Sequence, residues 1–145
     1  MKKRILVVDD EEKFVDYLFK RLINRGYDVV ISLNGEDAIE KVKSYNFDVV
    51  VLDVLMPGID GIDTLREIKK IKPLTEVIML TGHASVESGI EGMKLGAYDY
   101  LMKPCETEEL VSKINKACEK KAEQEAKRRD SLVSDALSSP RSVLK

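Results

Sequence analysis

Short apolar runs punctuate the chain at Ile5 to Val8, Val29 to Ile31, Val49 to Leu52, Val77 to Leu80 and Tyr98 to Met102. Each has strand length and little polar alternation, the pattern of a strand buried on both faces. Between the runs, apolar residues recur at helical spacing, most clearly at Val15, Leu18, Phe19, Leu22 and Ile23, with Lys and Arg on the other side. Further stripes pass through Ala38, Ile39 and Val42, through Ile62, Leu65 and Ile68, and through Val86, Ile90 and Met93; a fifth helix begins near Thr107. Strict alternation predicts a parallel sheet covered on both faces, because parallel neighbours need a crossover connection. The expected fold class is therefore α/β, a doubly wound five-stranded parallel sheet.

The last helix carries Leu110, Ile114, Ala117 and Cys118 on one stripe, but from Glu119 to Ser131 only Ala122 and Ala126 are apolar. Core packing is expected to end near Cys118, giving a domain over 1–118 and, over 119–145, a solvated helical extension and a loose tail. Lys127-Arg-Arg in that extension reads as a solvated helix face rather than a nucleic-acid contact.

Composition narrows the function classes. A chain of 145 residues with 43% hydrophobic content has material for one core. Lys and Arg number 24 against 26 Asp and Glu, a net charge of -2, so no basic excess draws the domain to nucleic acid. The apolar stretch after Met1-Lys-Lys-Arg stops at Asp9, without a signal-like core, and no segment approaches the roughly 20 apolar residues that span a bilayer. A cytoplasmic protein with no membrane partner is expected. Cys105 and Cys118 lack metal-ligand spacing and read as inert thiols.

In an open parallel sheet, ligands bind beyond the carboxyl ends of the strands. There the chain places Asp9 and Asp10 after the first run, Asp53 after the third, Thr81 after the fourth and Lys103 after the fifth. Each has an ordinary structural explanation alone: Asp10 as a helix cap, Asp53 at the start of the Met56-Pro57-Gly58 turn, Thr81 at the turn before Gly82, Lys103 as a surface lysine. Together they are harder to dismiss. Three carboxylates drawn together repel one another and lose hydration, a conflict that a divalent cation resolves, and an oxygen-only set favours Mg²⁺ over zinc or iron. A hydroxyl and an ammonium then complete what a phosphoryl group needs.

The segments Val7-Val-Asp-Asp-Glu, Val51-Leu-Asp-Val-Leu-Met-Pro-Gly-Ile-Asp-Gly, Leu80-Thr-Gly and Tyr100-Leu-Met-Lys-Pro resemble, in order and spacing, the motifs of response-regulator receiver domains, chemotaxis regulators among them. The resemblance covers residues 3 to about 118 and leaves the tail uncovered. It implies a flavodoxin-like sheet of order 2-1-3-4-5. It also implies that Asp53 takes a phosphoryl group from a phosphohistidine on a sensor histidine kinase or a histidine phosphotransfer protein. Asp10, Asp53 and the backbone carbonyl of Leu55 would ligate Mg²⁺ directly, with Asp9 acting mainly through water. Thr81 and Lys103 would bind the phosphoryl oxygens. Thr81 and Tyr100 would form the switch, biasing two pre-existing conformations. The Lys103-Pro104 bond would be cis. Leu55 and His83 occupy positions that tune the rate of phosphate loss in this family, although a lone exposed His is most simply a bystander.

Two other classes fit less well. A phosphohydrolase of the haloacid-dehalogenase kind would carry a second acid two places after its nucleophile, where this chain has Leu55. A flavodoxin-like flavin binder would need a glycine loop where this chain has Asp9-Asp-Glu-Glu, which would repel a phosphate. The expected protein is a switch that catalyses only its own phosphorylation and dephosphorylation. Its tail cannot form a core, so if the chain is a stand-alone protein, output is expected through binding an unidentified downstream protein; the alternative is a module of a longer regulator. Homodimerisation through the fourth helix, fifth strand and fifth helix is compatible with the sequence but not required by it.

Overall fold

The structure, a computed structural model, describes residues 2–54, 56, 59–82 and 86–138, with Thr81, Val86, Glu87 and Ser138 described by their backbone only. The elements are β1 (Arg4–Val8), α1 (Glu12–Asn24), β2 (Asp28–Ser32), α2 (Gly35–Ser44), β3 (Val49–Leu52), α3 (Gly61–Ile71), β4 (Glu76–Thr81), α4 (Val86–Lys94), β5 (Asp99–Met102) and α5 (Thr107–Ser138). The five strands form one all-parallel sheet of order β2-β1-β3-β4-β5. This is the doubly wound, flavodoxin-like arrangement expected from the alternation of elements and the receiver resemblance.

Side-chain alternation along the strands divides the core in two. Ile5, Val7, Val49, Val51, Ile78 and Leu80 face Val15, Leu18 and Leu22 of α1 and Leu110, Ile114 and Ala117 of α5. Leu6, Val8, Val50, Leu52, Val77 and Met79 face Ala38 and Val42 of α2 and Ile62, Leu65 and Ile68 of α3. Both sides of every central strand are thus apolar, which is why these strands lack polar alternation. Asn34 and Asp60 start α2 and α3 by accepting the backbone N–H three residues ahead, at 2.8 Å and 2.9 Å. The N-cap of α1 is Glu11 and makes no side-chain capping bond, so capping does not account for Asp10.

Two helical stripes differ from expectation. In α1 the buried positions are Val15, Leu18 and Leu22, whereas Ile23 is exposed. In α4 the stripe is rotated: Ile90 and Met93 point to solvent, 51% and 47% exposed, and the inward line runs through Gly89 and Gly92. A Cβ on Gly92 would collide with the Met79 side chain, and Gly89 faces the Tyr100 ring. The helix rests on the sheet through its smallest residues, which hydrophobicity alone does not reveal. The last buried residues of α5 are Ala117 and Cys118, and the helix continues to Ser138 with its side chains largely in solvent. Among the described residues no helix is long and apolar enough to cross a membrane.

Candidate functional site

β1 and β3 are adjacent and in register, Val8 beside Leu52. Asp9 and Asp53 therefore leave neighbouring strands at the same level. Sheet bonding continues through both: Asp53 N–H donates to the Val8 carbonyl at 3.0 Å, and Asp9 N–H to the Ser32 carbonyl at 3.1 Å. The carboxylates are thus placed by the sheet itself, and they are only 2% (Asp9) and 6% (Asp53) exposed. Asp10 lies at the solvent side, and one carboxylate oxygen from each of the three residues falls within 4.8 Å of the others. Gly61, the first residue of α3, allows that helix to abut the end of β3. A Cβ there would collide with the Asp53 carbonyl and Val54 Cα, and its N–H donates to the Val54 carbonyl at 2.8 Å.

Lys103 follows β5, two strands away from Asp53, and its long side chain reaches back across the end of β4. Its ammonium donates to Asp9 Oδ2 and lies 3.6 Å from Glu11 and 3.9 Å from Asp53. Burial raises the Asp9 carboxyl above the ordinary carboxylate range, and the Lys103 bond and the Glu11 N–H at 3.0 Å only partly offset it. Burial also pulls on Lys103, in the opposite sense, but Asp9, Asp53 and Glu11 together hold its ammonium above the usual lysine range. Both directions express one imbalance, in which several carboxylates share a single cation among the described residues. Closely set carboxylate oxygens from three residues, two of them buried, make a cluster that could hold a metal ion.

The structure thus brings Asp9, Asp10, Asp53 and Lys103 together. Thr81 ends β4 beside them, but its side chain lies outside the described residues, as do Leu55 and His83. Tyr100 sits on β5, half-buried against the core cluster that includes Met79, its buried hydroxyl lacking a hydrogen-bond partner among the described residues. The Lys103-Pro104 peptide bond is cis. Two neighbours escaped the sequence reading. Glu11 reaches Lys103, and the Phe14 ring lies 4.2 Å from its ammonium. Phe14 lies in the first turn of α1, directly after the Asp9-Asp10-Glu11 run, and that nearness in sequence is the signal that points to it.

With this geometry in view, residues 5–115 match the response regulator receiver domain, and the chain belongs to that family. It is 42% identical over 113 residues to the transcriptional regulatory protein ZraR of Escherichia coli, covering 78% of this chain and 26% of that protein. The chain therefore spans about a quarter of that relative's length. A CheY-like receiver domain protein from Methanospirillum hungatei superposes with a TM-score of 0.83 at 30% identity, over 86% of this chain and 99% of the other. A Burkholderia pseudomallei response regulator, solved with a phosphorylated aspartic acid and a calcium ion, superposes at 0.75 with 29% identity, over 85% and 73%.

Proposed function

We propose that Asp53 is the phosphoacceptor of this receiver, taking its phosphoryl group from a phosphohistidine on a sensor histidine kinase or histidine phosphotransfer protein in a phosphorelay. The observation that carries the reading is the convergence of the Asp9, Asp10 and Asp53 carboxylates, with the Lys103 ammonium bonded to Asp9 and 3.9 Å from the buried Asp53 carboxylate. An Asp53 oxygen attacks phosphorus, the P–N bond to the imidazole breaks, and the departing nitrogen takes a proton. Mg²⁺, held by Asp10, Asp53 and the Leu55 carbonyl with Asp9 acting through water, would supply charge neutralisation for the carboxylates and the transferring oxygens. Lys103, already at the site, turns an N–H toward the new phosphoryl group. Thr81, at the end of the adjacent strand, donates its hydroxyl to another phosphoryl oxygen.

Thr81 and Tyr100 form the switch, and the buried Tyr100 hydroxyl, with no partner among the described residues, has little to hold the ring in place. Modification at Asp53 is then read as a population shift in the α4–β5 face. Exposed Ile90, Met93 and Met102 on that face suit a downstream protein or a second copy of the chain. The receiver unit ends near residue 118, and residues 119–145 form an extension beyond it. Catalysis extends only to the protein's own phosphorylation and dephosphorylation, in the cytoplasm. Apolar Leu55 slows the second step by disfavouring an ordered attacking water, with His83 a lesser influence.

Incubation with Mg²⁺ and a small acyl phosphate, followed by mass measurement, tests the central claim. The parent is expected to gain one labile phosphoryl adduct and Asp53→Asn none; an equal adduct in the variant overturns the assignment. Leu55→Asn is expected to lose phosphate faster than the parent, and equal rates would remove Leu55 as the cause of persistence.

A further inference from the structure

We propose that Phe14 is a positioning residue of the phosphoryl site, its ring acting as a wall that steers the Lys103 ammonium between Asp9 and Asp53. The inference rests on the phosphoacceptor reading of Asp53. Phe14 projects from the first turns of α1 and packs, half-buried, against the core cluster formed by α1, α5 and the sheet, so the core limits the ring's freedom. Its ring centroid is 4.2 Å from Lys103 Nζ, within the range of cation–π attraction, and the Lys103 side chain is only 13% exposed, which limits screening by water.

An aromatic face attracts a cation without a lone pair that must be satisfied, so all three ammonium N–H groups remain available for oxygens. Among the described residues, the oxygens near it include those of Asp9, which holds one hydrogen bond, Glu11 at 3.6 Å and Asp53 at 3.9 Å. With the ring closing one side, the swing left to the ammonium lies among these acceptors. When Asp53 carries a phosphoryl group, Lys103 has a short path to it and little orientational freedom to lose. An aliphatic residue of similar bulk would fill the same space but would leave the ammonium without that attraction. Phe14 therefore acts through Lys103 and does not itself touch the phosphoryl group.

Beryllofluoride with Mg²⁺, a stand-in for the phosphoryl group, is titrated into the full chain and into Phe14→Leu and Phe14→Tyr, with Mg²⁺ alone titrated in parallel. Phe14→Leu is expected to weaken beryllofluoride binding about 3- to 10-fold. Mg²⁺ affinity alone should change less than about 2-fold, and Phe14→Tyr should restore the parent value because the ring is retained. The inference is overturned if Phe14→Leu binds beryllofluoride like the parent. Equal weakening of both ligands, or a tyrosine no better than leucine, overturns it as well. A parent that binds no beryllofluoride would sink the phosphoacceptor reading, and this inference with it. NMR of the parent needs no variant: ring current should place the Lys103 ε-methylene protons upfield of the other lysines, and an ordinary position would contradict the contact.

Discussion

At the edge where the strands begin, Glu76 is buried with Lys120 at 3.2 Å and Lys69 at 3.6 Å, and Asp48 has Lys121 at 3.4 Å and accepts the Arg4 N–H at 2.9 Å. Lys120 lies off the line of a hydrogen bond to Glu76 Oε2, so that contact is an ion pair only. At the edge where the strands end, Asp9, Asp53 and Glu11 surround Lys103 and Asp10 adds a further carboxylate. The first edge supplies Glu76 and Asp48 with lysines of their own. The second leaves its acids in excess among the described residues. A sheet that gives its acids lysine partners at one end and gathers several acids around one lysine at the other differs in charge balance between its edges: the first edge ties α3 and α5 to the sheet, and the second holds a cluster of carboxylates that could bind a metal ion.

The contrast breaks first at metal binding. Asp10→Ala is expected to lower Mg²⁺ affinity by about 30-fold or more, whereas Glu76→Gln should leave it within about 2-fold, measured by calorimetric titration. Comparable losses from both would erase the distinction between the edges. Stability should move in opposite directions. Glu76→Gln leaves Lys69 and Lys120 without their buried partner and should cost about 1–2 kcal/mol in denaturant unfolding. Asp10→Asn relieves like-charge repulsion and should add about 0.5 kcal/mol in the absence of Mg²⁺.

A finer test concerns Asp9, whose carboxyl is held above its ordinary value of 3.8 by burial. For an acid whose folded pKa exceeds its unfolded one, the protonated form is the one folding favours. Its contribution to stability is therefore present at low pH and declines as pH rises from 3.8 through the folded value. Mg²⁺ should reverse the shift and bring the carboxyl below 3.8, which carboxyl NMR titration reads directly. A titration that Mg²⁺ leaves unmoved would separate Asp9 from the cation site. The smallest effect is expected at the thiols. Burial raises Cys118 to about 11, with the Asp48 carboxylate adding to it, so at neutral pH a thiol reagent should modify half-buried Cys105 first. Equal rates would mean that the first edge opens more readily than its ion pairs suggest.

Much of this was legible along the chain. The apolar runs marked all five strands, and the polar residues directly after them marked Asp9, Asp10, Asp53, Thr81 and Lys103, because a parallel sheet brings every strand's carboxyl end to one edge. The opposite edge left a trace that the reading passed over: Asp28, Asp48, Glu76 and Asp99 sit at or just before the starts of four strands. The partners of Asp99, Glu76 and Asp48 are Lys113, Lys120 and Lys121, far away on α5, where they look like any solvated lysines. The inward face of α4 was misread for a related reason, since Gly89 and Gly92 carry no hydrophobic signal and meet Met79 and Tyr100 only across the packed interface.

The sequence by itself determined the strands, their alternation with helices and the inventory of acids, hydroxyl and ammonium at their ends, because burial and crossover geometry act on local pattern. Only the tertiary structure decided how those charges are shared. Lys103 bonds to Asp9 across 94 positions of sequence and lies beneath Phe14, and these contacts depend on strand order and on how far a long side chain reaches across neighbouring strand ends. Charge balance at a site is a sum over neighbours in space, and here those neighbours come from opposite ends of the receiver.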